Sequence, residues 1–128
     1  MDIVRIKRDT LAAFELILTK EALDLIGEDA KNIYALGAVS DGMPVGAAAV
    51  VFAPPEGRLI SLYVVKEYRK QGIGTMLGTE LLNTAMAQPG METFVASYTE
   101  GEGEDIFGSF FNSIDLSLTF IKINVFLL

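Results

Sequence analysis

The stretch from Arg58 to Ala87 constrains the fold more than any other part of the chain. It opens with an apolar run, Arg58 to Val65, in which Leu59, Ile60, Leu62, Val64 and Val65 dominate. Such a run suits a central strand covered on both faces. The strand leads into a polar, basic loop, Lys66-Glu67-Tyr68-Arg69-Lys70-Gln71-Gly72-Ile73-Gly74. A helix is expected from about Ile73 to Ala87, with Ile73, Leu77, Leu81 and Met86 facing inward. Gln88-Pro89-Gly90 stops it. Physically, the loop is an anion site. The first amides of a helix lack intrahelical partners and lie at the positive end of its dipole. Gly72 and Gly74 remove side chains, so a phosphate can approach the backbone. Lys66, Arg69 and Lys70 bring three of the ten basic residues into this loop. The spacing is not that of a Walker A loop, and Gly78 falls one residue too late for the dinucleotide fingerprint. A structural turn and a phosphate site both remain open on this motif alone.

The rest of the chain surrounds this unit. Residues 2–8 alternate and predict a first strand. Asp9 or Thr10 caps a helical region in which Leu11, Phe14, Leu18, Ala22 and Leu25 mark the buried face. Thr19 offers a second cap and Gly27 an end, so one bent helix and two short ones both fit. Residues 32–40 and 44–53 read as strands joined by Ser40-Asp41-Gly42-Met43, a hairpin signal because both central positions tolerate positive φ. The second of these strands holds Gly46, Ala47, Ala48 and Ala49, which points to a close neighbour such as a helix lying on the sheet. Pro54-Pro55-Glu56-Gly57 is a further turn. Met91 to Tyr98 is the next strand, 99–105 an acidic loop, 105–113 a short helix and Leu116 to Leu128 a long final strand. No repeat or linker interrupts the chain, which reads as one domain spanning 1–128.

Composition narrows the chemistry. Net charge is −7, from ten basic and seventeen acidic residues, which disfavours nucleic acid as a partner. Histidine and cysteine are both absent. That removes disulfides, thiol chemistry, Ser-His-Asp triads and His-based zinc sites, and no metal is expected. Acid–base work falls to Glu, Asp, Tyr, Lys or water. The charged N-terminus lacks the apolar stretch of a signal peptide, and runs such as Val45 to Ala53 are too short to span a bilayer. The expectation is a cytoplasmic protein without a membrane partner.

The segment LYVVKEYRKQGIGTML resembles motif A of the GCN5-related N-acetyltransferases (GNAT), whose core [Q/R]-x-x-G-x-[G/A] is matched by Arg69-Lys70-Gln71-Gly72-Ile73-Gly74. The order of expected elements follows the same family over nearly the whole chain. The resemblance implies an α+β fold, a central mixed sheet flanked by helices. It also implies acetyl-CoA as cosubstrate. Backbone amides of Lys70, Gln71, Gly72, Ile73, Gly74 and Thr75 would hold the pyrophosphate, with Arg69 in the same loop. Leu62, Tyr63 and Val64 would run beside the pantetheine, between strands 58–65 and 91–98 that splay apart. An amide near Val64 or Val65 would polarise the thioester carbonyl. The acceptor would be a primary amine of a small molecule or peptide, attacking directly after losing a proton.

Departures from the family pattern bear on catalysis. The tyrosine often found in the last helix, the acid toward the CoA thiolate, is replaced here by Phe111, and Asp115 stands where glycine is usual. Tyr98, on the neighbouring strand, is the candidate substitute acid, with a packed aromatic as the other reading. Glu100 is a candidate base, among Glu56, Glu67, Glu102 and Glu104, between which the residues do not choose. The family usually closes with two strands joined by a turn, but Leu116 to Leu128 contains no Gly or Pro and reads as one. An apolar closing strand needs a partner; a homodimer pairing residues 116–128 and a truncated larger protein lacking the usual final strand both account for it, and the homodimer is the expectation. A non-catalytic CoA-binding or sensor domain and a structural dimer module are the competing readings.

Overall fold

A computed structural model describes residues 1–99 and 120–126, with 97–99 and 120–126 as backbone only. Six strands form one mixed sheet in the order of the chain: β1 (Asp2–Arg5), β2 (Ile33–Ser40), β3 (Met43–Ala53), β4 (Glu56–Val64), β5 (Thr93–Thr99) and β6 (Phe120–Phe126). The first four pair antiparallel, and β5 and β6 join parallel. A 3₁₀ helix (Leu11–Ile17) and α1 (Lys20–Gly27) connect β1 to β2. A short 3₁₀ turn (Lys66–Tyr68) and α2 (Ile73–Met86) connect β4 to β5. The helical region between β1 and β2 is therefore two helices, and its hinge is Thr19. The Thr19 hydroxyl accepts from the Ala22 amide at 3.3 Å and caps α1. Thr10 plays no such part for the 3₁₀ helix; its hydroxyl accepts from the Lys7 amide at 3.0 Å instead. The first strand ends at Arg5, short of the expected residue 8, because the chain turns at Lys7 to Thr10.

Two apolar layers enclose the sheet. On one face Ile73, Leu77, Leu81 and Ala85 of α2 pack with Ala48, Val50, Leu59, Val64 and Phe94. On the other, Phe14, Leu18, Ala22 and Ile26 pack with Ala35, Ala47 and Ala49. The small residues of β3 are what allow both approaches. A Cβ on Gly46 would lie 3.2 Å from both Ile73 Cγ2 and Leu77 Cδ1. The Asp41-Gly42 hairpin forms as expected, with φ of 50° and 78° at its two central residues. No helix among the described residues is long and apolar enough to cross a membrane. The short helix expected at 105–113 and the ends of the final strand lie outside the described residues.

Gly37 of β2 makes the tightest approach, since a Cβ there would sit 2.3 Å from Phe14 Cε1. Gly37→Ala is expected to destabilise the fold by about 1–3 kcal/mol through overpacking. Denaturant unfolding checks this, and Phe14→Leu in the same chain is expected to recover part of the loss.

Candidate functional site

β4 is where the sheet departs from regularity. Its register with β3 shifts between Ala49 and Val50, which pair with Ser61 and Leu59 respectively. Ile60 is thus an extra residue, a β-bulge. The side-chain pattern agrees. Leu59 and Leu62 belong to the α2 layer, whereas Ile60 packs with the opposite layer and the Ser61 hydroxyl bonds to Thr19 beside α1. Two successive residues therefore face the same side, as a bulge requires.

The parallel pairing of β4 with β5 stops at the same place. Glu56 to Leu59 pair with Thr93 to Ala96. Beyond them β4 continues to Val64 and β5 to Thr99 without pairing to each other, while β5 pairs with β6 along its whole length. The two central strands are splayed, as the family resemblance implies. The backbone of β4 along this gap can be read from its other side. The Val65 amide donates to the Val45 carbonyl at 2.8 Å. Hydrogen-bonded and non-bonded pairs alternate in an antiparallel ladder. Leu62 opposite Ala48 and Val64 opposite Gly46 are then non-bonded pairs, and their amides face the gap. Of Val64 and Val65, only the Val64 amide is turned toward the gap. Tyr63 is 40% exposed, and Leu62 is half-buried beside the α2 layer.

The loop after β4 is locked by its own residues. Arg69 Nε donates to the Val64 carbonyl at 2.8 Å, and its guanidinium lies 5.3 Å from the centre of the Tyr63 ring. Arg69 thus ties the loop to the end of β4 instead of projecting into solvent. Gln71 Nε2 donates to the Glu67 carbonyl at 3.3 Å. Lys70 and Gly72 both take left-handed backbone, with φ of 63° and 84°. That conformation alternating with ordinary turn geometry builds a concavity of amides suited to an anion. Gly72 is the N-cap of α2 and provides no side-chain cap, and the first turn holds no acidic residue. The earliest intrahelical bond runs from the Met76 amide to the Gly72 carbonyl at 3.0 Å. The amides of Ile73, Gly74 and Thr75 precede it and lack intrahelical acceptors. A β-carbon on Gly72 would meet open space, so the cradle is unobstructed.

Tyr98 occupies β5 two residues past the last pair with β4, opposite Val125 of β6, so its backbone borders the gap. Glu100, Glu102, Glu104 and Phe111 lie outside the described residues. Thr19 and Ser61 are absent from the sequence-derived site, although Ser61 interrupts the apolar stretch that begins at Leu59. That interruption was the available signal.

A helix start whose first amides lack intrahelical acceptors thus follows a central strand whose parallel pairing with its neighbour ends early. Residues 3–103 match the acetyltransferase (GNAT) family. The chain belongs to that family, and its activity is acetyl-CoA-dependent N-acetylation of an amine. Solved structures agree on the fold. The chain is similar to a ribosomal-protein-alanine N-acetyltransferase from Brucella melitensis biovar Abortus 2308, with 22% identity, TM-score 0.65, and 89% of this chain and 90% of that one covered. It is similar to the aminoglycoside N-acetyltransferase AAC(6')-Iy in complex with CoA, with 17% identity, TM-score 0.63 and coverage of 74% and 77%. A third is the apo aminoglycoside 6'-N-acetyltransferase AAC(6')-IG from Acinetobacter haemolyticus, with 21% identity, TM-score 0.63 and coverage of 75% and 78%. No curated protein sequence matches the chain significantly.

The cradle predicts a charge-specific response. Gly72→Asp and Gly72→Asn place side chains of nearly equal size on the same left-handed backbone, which both residues tolerate better than most. CoA affinity, measured by calorimetry, is expected to fall about tenfold further in Gly72→Asp, because only that variant puts a negative charge at the helix N-terminus. Equal losses in the two variants would show that bulk alone is responsible.

Proposed function

We propose that the gap between β4 and β5 receives the pantetheine of acetyl-CoA, and that residues 70–75 hold its pyrophosphate through backbone amides. The observation that carries this reading is the end of β4–β5 pairing at Leu59 and Ala96, with the Leu62 and Val64 amides turned toward the space that follows. An extended chain lying there would complete the ladder that β5 leaves unmade. Arg69 serves by holding the loop to Val64 and Tyr63. Lys70, exposed at the rim of the cradle, adds positive charge.

Acetyl-CoA supplies an activated acyl group. The acceptor nitrogen forms the new C–N bond as the C–S bond breaks, the nitrogen's proton passes to a base, and the thiolate gains a proton. The Leu62 and Val64 amides are the donors available to the thioester oxygen, a contribution that is large in water-excluded sites. Tyr98, on the strand that borders the gap, is the proposed acid toward the thiolate, and Glu100, two residues further along the chain, the proposed base. The acceptor is a primary amine of a small molecule or peptide, and it arrives as a cation. The net charge of −7 favours such a partner. The names of the neighbours above, aminoglycoside and ribosomal-protein N-acetyltransferases, include both kinds of acceptor. The chain functions as one cytoplasmic domain. It forms a homodimer through 116–128, a segment that includes β6, the last strand in the sheet order.

Three measurements follow. Tyr98→Phe is expected to lower kcat by about 10²–10⁴-fold, the usual range for acid catalysis, with CoA affinity retained. A loss below about threefold would assign thiolate protonation to water. Glu100→Gln is expected to remove the acid limb that a carboxylate base gives the pH profile and to lower kcat over a similar range; unchanged kcat would shift the base to another carboxylate. Light scattering at micromolar concentration is expected to give a dimer mass. Val125→Lys should yield monomer or insoluble protein, and a monomeric parent chain would exclude the dimer.

A further inference from the structure

The bulge in β4 raises a question of support. A bulged residue leaves the ladder, so its polar groups need other partners. Among the described residues, the strand that follows, Leu62 to Val64, is paired on one side only, to β3. It is nonetheless the segment whose amides line the gap. What fixes its starting point is a pair of hydrogen bonds from the hinge between the first 3₁₀ helix and α1. The Thr19 hydroxyl donates to the Ile60 carbonyl at 3.1 Å, and the Thr19 amide donates to Ser61 Oγ at 3.1 Å. Ser61 is 4% exposed, the one buried polar or charged residue among those described. The same Thr19 oxygen accepts from the Ala22 amide at 3.3 Å. The Thr19 hydroxyl thus caps α1 and holds Ile60, forty-one residues away in sequence, while the Thr19 amide holds Ser61, forty-two away.

We propose that Thr19 is a positioning residue for acetyl transfer: by holding the Ile60 carbonyl it sets the bulge, and with it the direction of the Leu62 amide toward the thioester. This rests on the placement of acetyl-CoA given above. Thr19 touches neither the proposed ligand nor a reacting atom. It acts through the backbone of Ile60 and Ser61, and Ser61 Oγ completes the clasp by accepting from the Thr19 amide. The arrangement also links α1 to the splayed end of β4, so a displacement of α1 would reach the gap through this pair of bonds.

The two roles of Thr19 separate by substitution. Thr19→Asp keeps an oxygen able to cap α1, since aspartate is among the preferred N-caps, but a carboxylate cannot donate to the Ile60 carbonyl. Thr19→Ser keeps both functions. With acetyl-CoA and a panel of primary amines, Thr19→Asp is expected to lower kcat about tenfold to a hundredfold, the scale of a small misplacement at a reacting centre. The affinity for CoA, which lacks the acetyl group, should change by less than about threefold, as in an interaction made only during reaction. Thr19→Ser is expected to restore kcat, and circular dichroism should show α1 intact in both. Amide hydrogen exchange in the free protein supplies a second reading. Ser61 and Tyr63, bonded to β3, should exchange faster in Thr19→Asp and at the parent rate in Thr19→Ser. Unchanged exchange at these two amides would overturn the proposal whether or not acetylation is observed. So would a kcat in Thr19→Asp equal to that of the parent chain. Failure of the parent chain to bind CoA would instead overturn the placement of the ligand.

Discussion

An antiparallel ladder absorbs an extra residue by turning two neighbours to the same side, and Ile60 with Ser61 does this at the centre of the sheet. The rest of the site depends on that insertion. It coincides with the last β4–β5 pair, Leu59 with Ala96. A bulge bends its strand and increases local twist, which carries the end of β4 away from β5. The amides of Leu62 and Val64 are left facing a gap, and the chain then arrives at Lys66 in position to begin the anion loop.

The second requirement is closeness on both faces of β3. Alternate residues of this strand serve different layers: Ala48 and Val50 meet α2, while Ala47 and Ala49 meet the 3₁₀ helix and α1. Gly46 admits Ile73 and Leu77, the first buried residues of α2. This sets where α2 starts relative to the sheet, and therefore where its unbonded amides lie. The cradle's position is a packing consequence, fixed by a missing β-carbon on a neighbouring strand as much as by the glycines of the loop itself.

Most of the architecture was legible from the sequence because it rests on local patterns. The Asp41-Gly42 turn, the apolar run of β4 and the spacing of Ile73, Leu77 and Leu81 each have a single physical interpretation. The loop was legible as a glycine-bearing helix start, whereas the left-handed backbone at Lys70 and Gly72 came only from the structure. The bulge and its clasp were not. Nothing in Leu59-Ile60-Ser61-Leu62 states which residue leaves the ladder, because a bulge is a property of the pairing with β3. Thr19 announced itself only as a helix cap. Its second partner, the Ile60 carbonyl, lies forty-one residues away, beyond the reach of any periodicity argument. Strand boundaries moved by one to three residues: the turn at Lys7 to Thr10 shortened β1, whereas Glu56 and Gly57, expected in a turn, open β4.

Basic residues gather at two places in this acidic chain, and the helix end nearest each one gives it a different meaning. Lys66, Arg69 and Lys70 surround the N-terminus of α2, where unbonded amides add to their positive potential. Arg5, Lys7, Arg8 and Lys31 surround a cavity that also includes Ile26, Asp29 and Ala30, at the C-terminus of α1. There the carbonyls of the last turn oppose an anion and attract the cations themselves. Local partners engage two of the four: the Arg5 guanidinium lies 4.1 Å from the centre of the Tyr34 ring, and Lys31 Nζ lies 3.5 Å from an Asp29 carboxylate oxygen. Charge count alone would rank the second cluster above the first. The direction of the peptide dipoles reverses that ranking, which is why the proposed phosphate site falls on the loop before α2, where backbone amides and positive side chains act in the same sense.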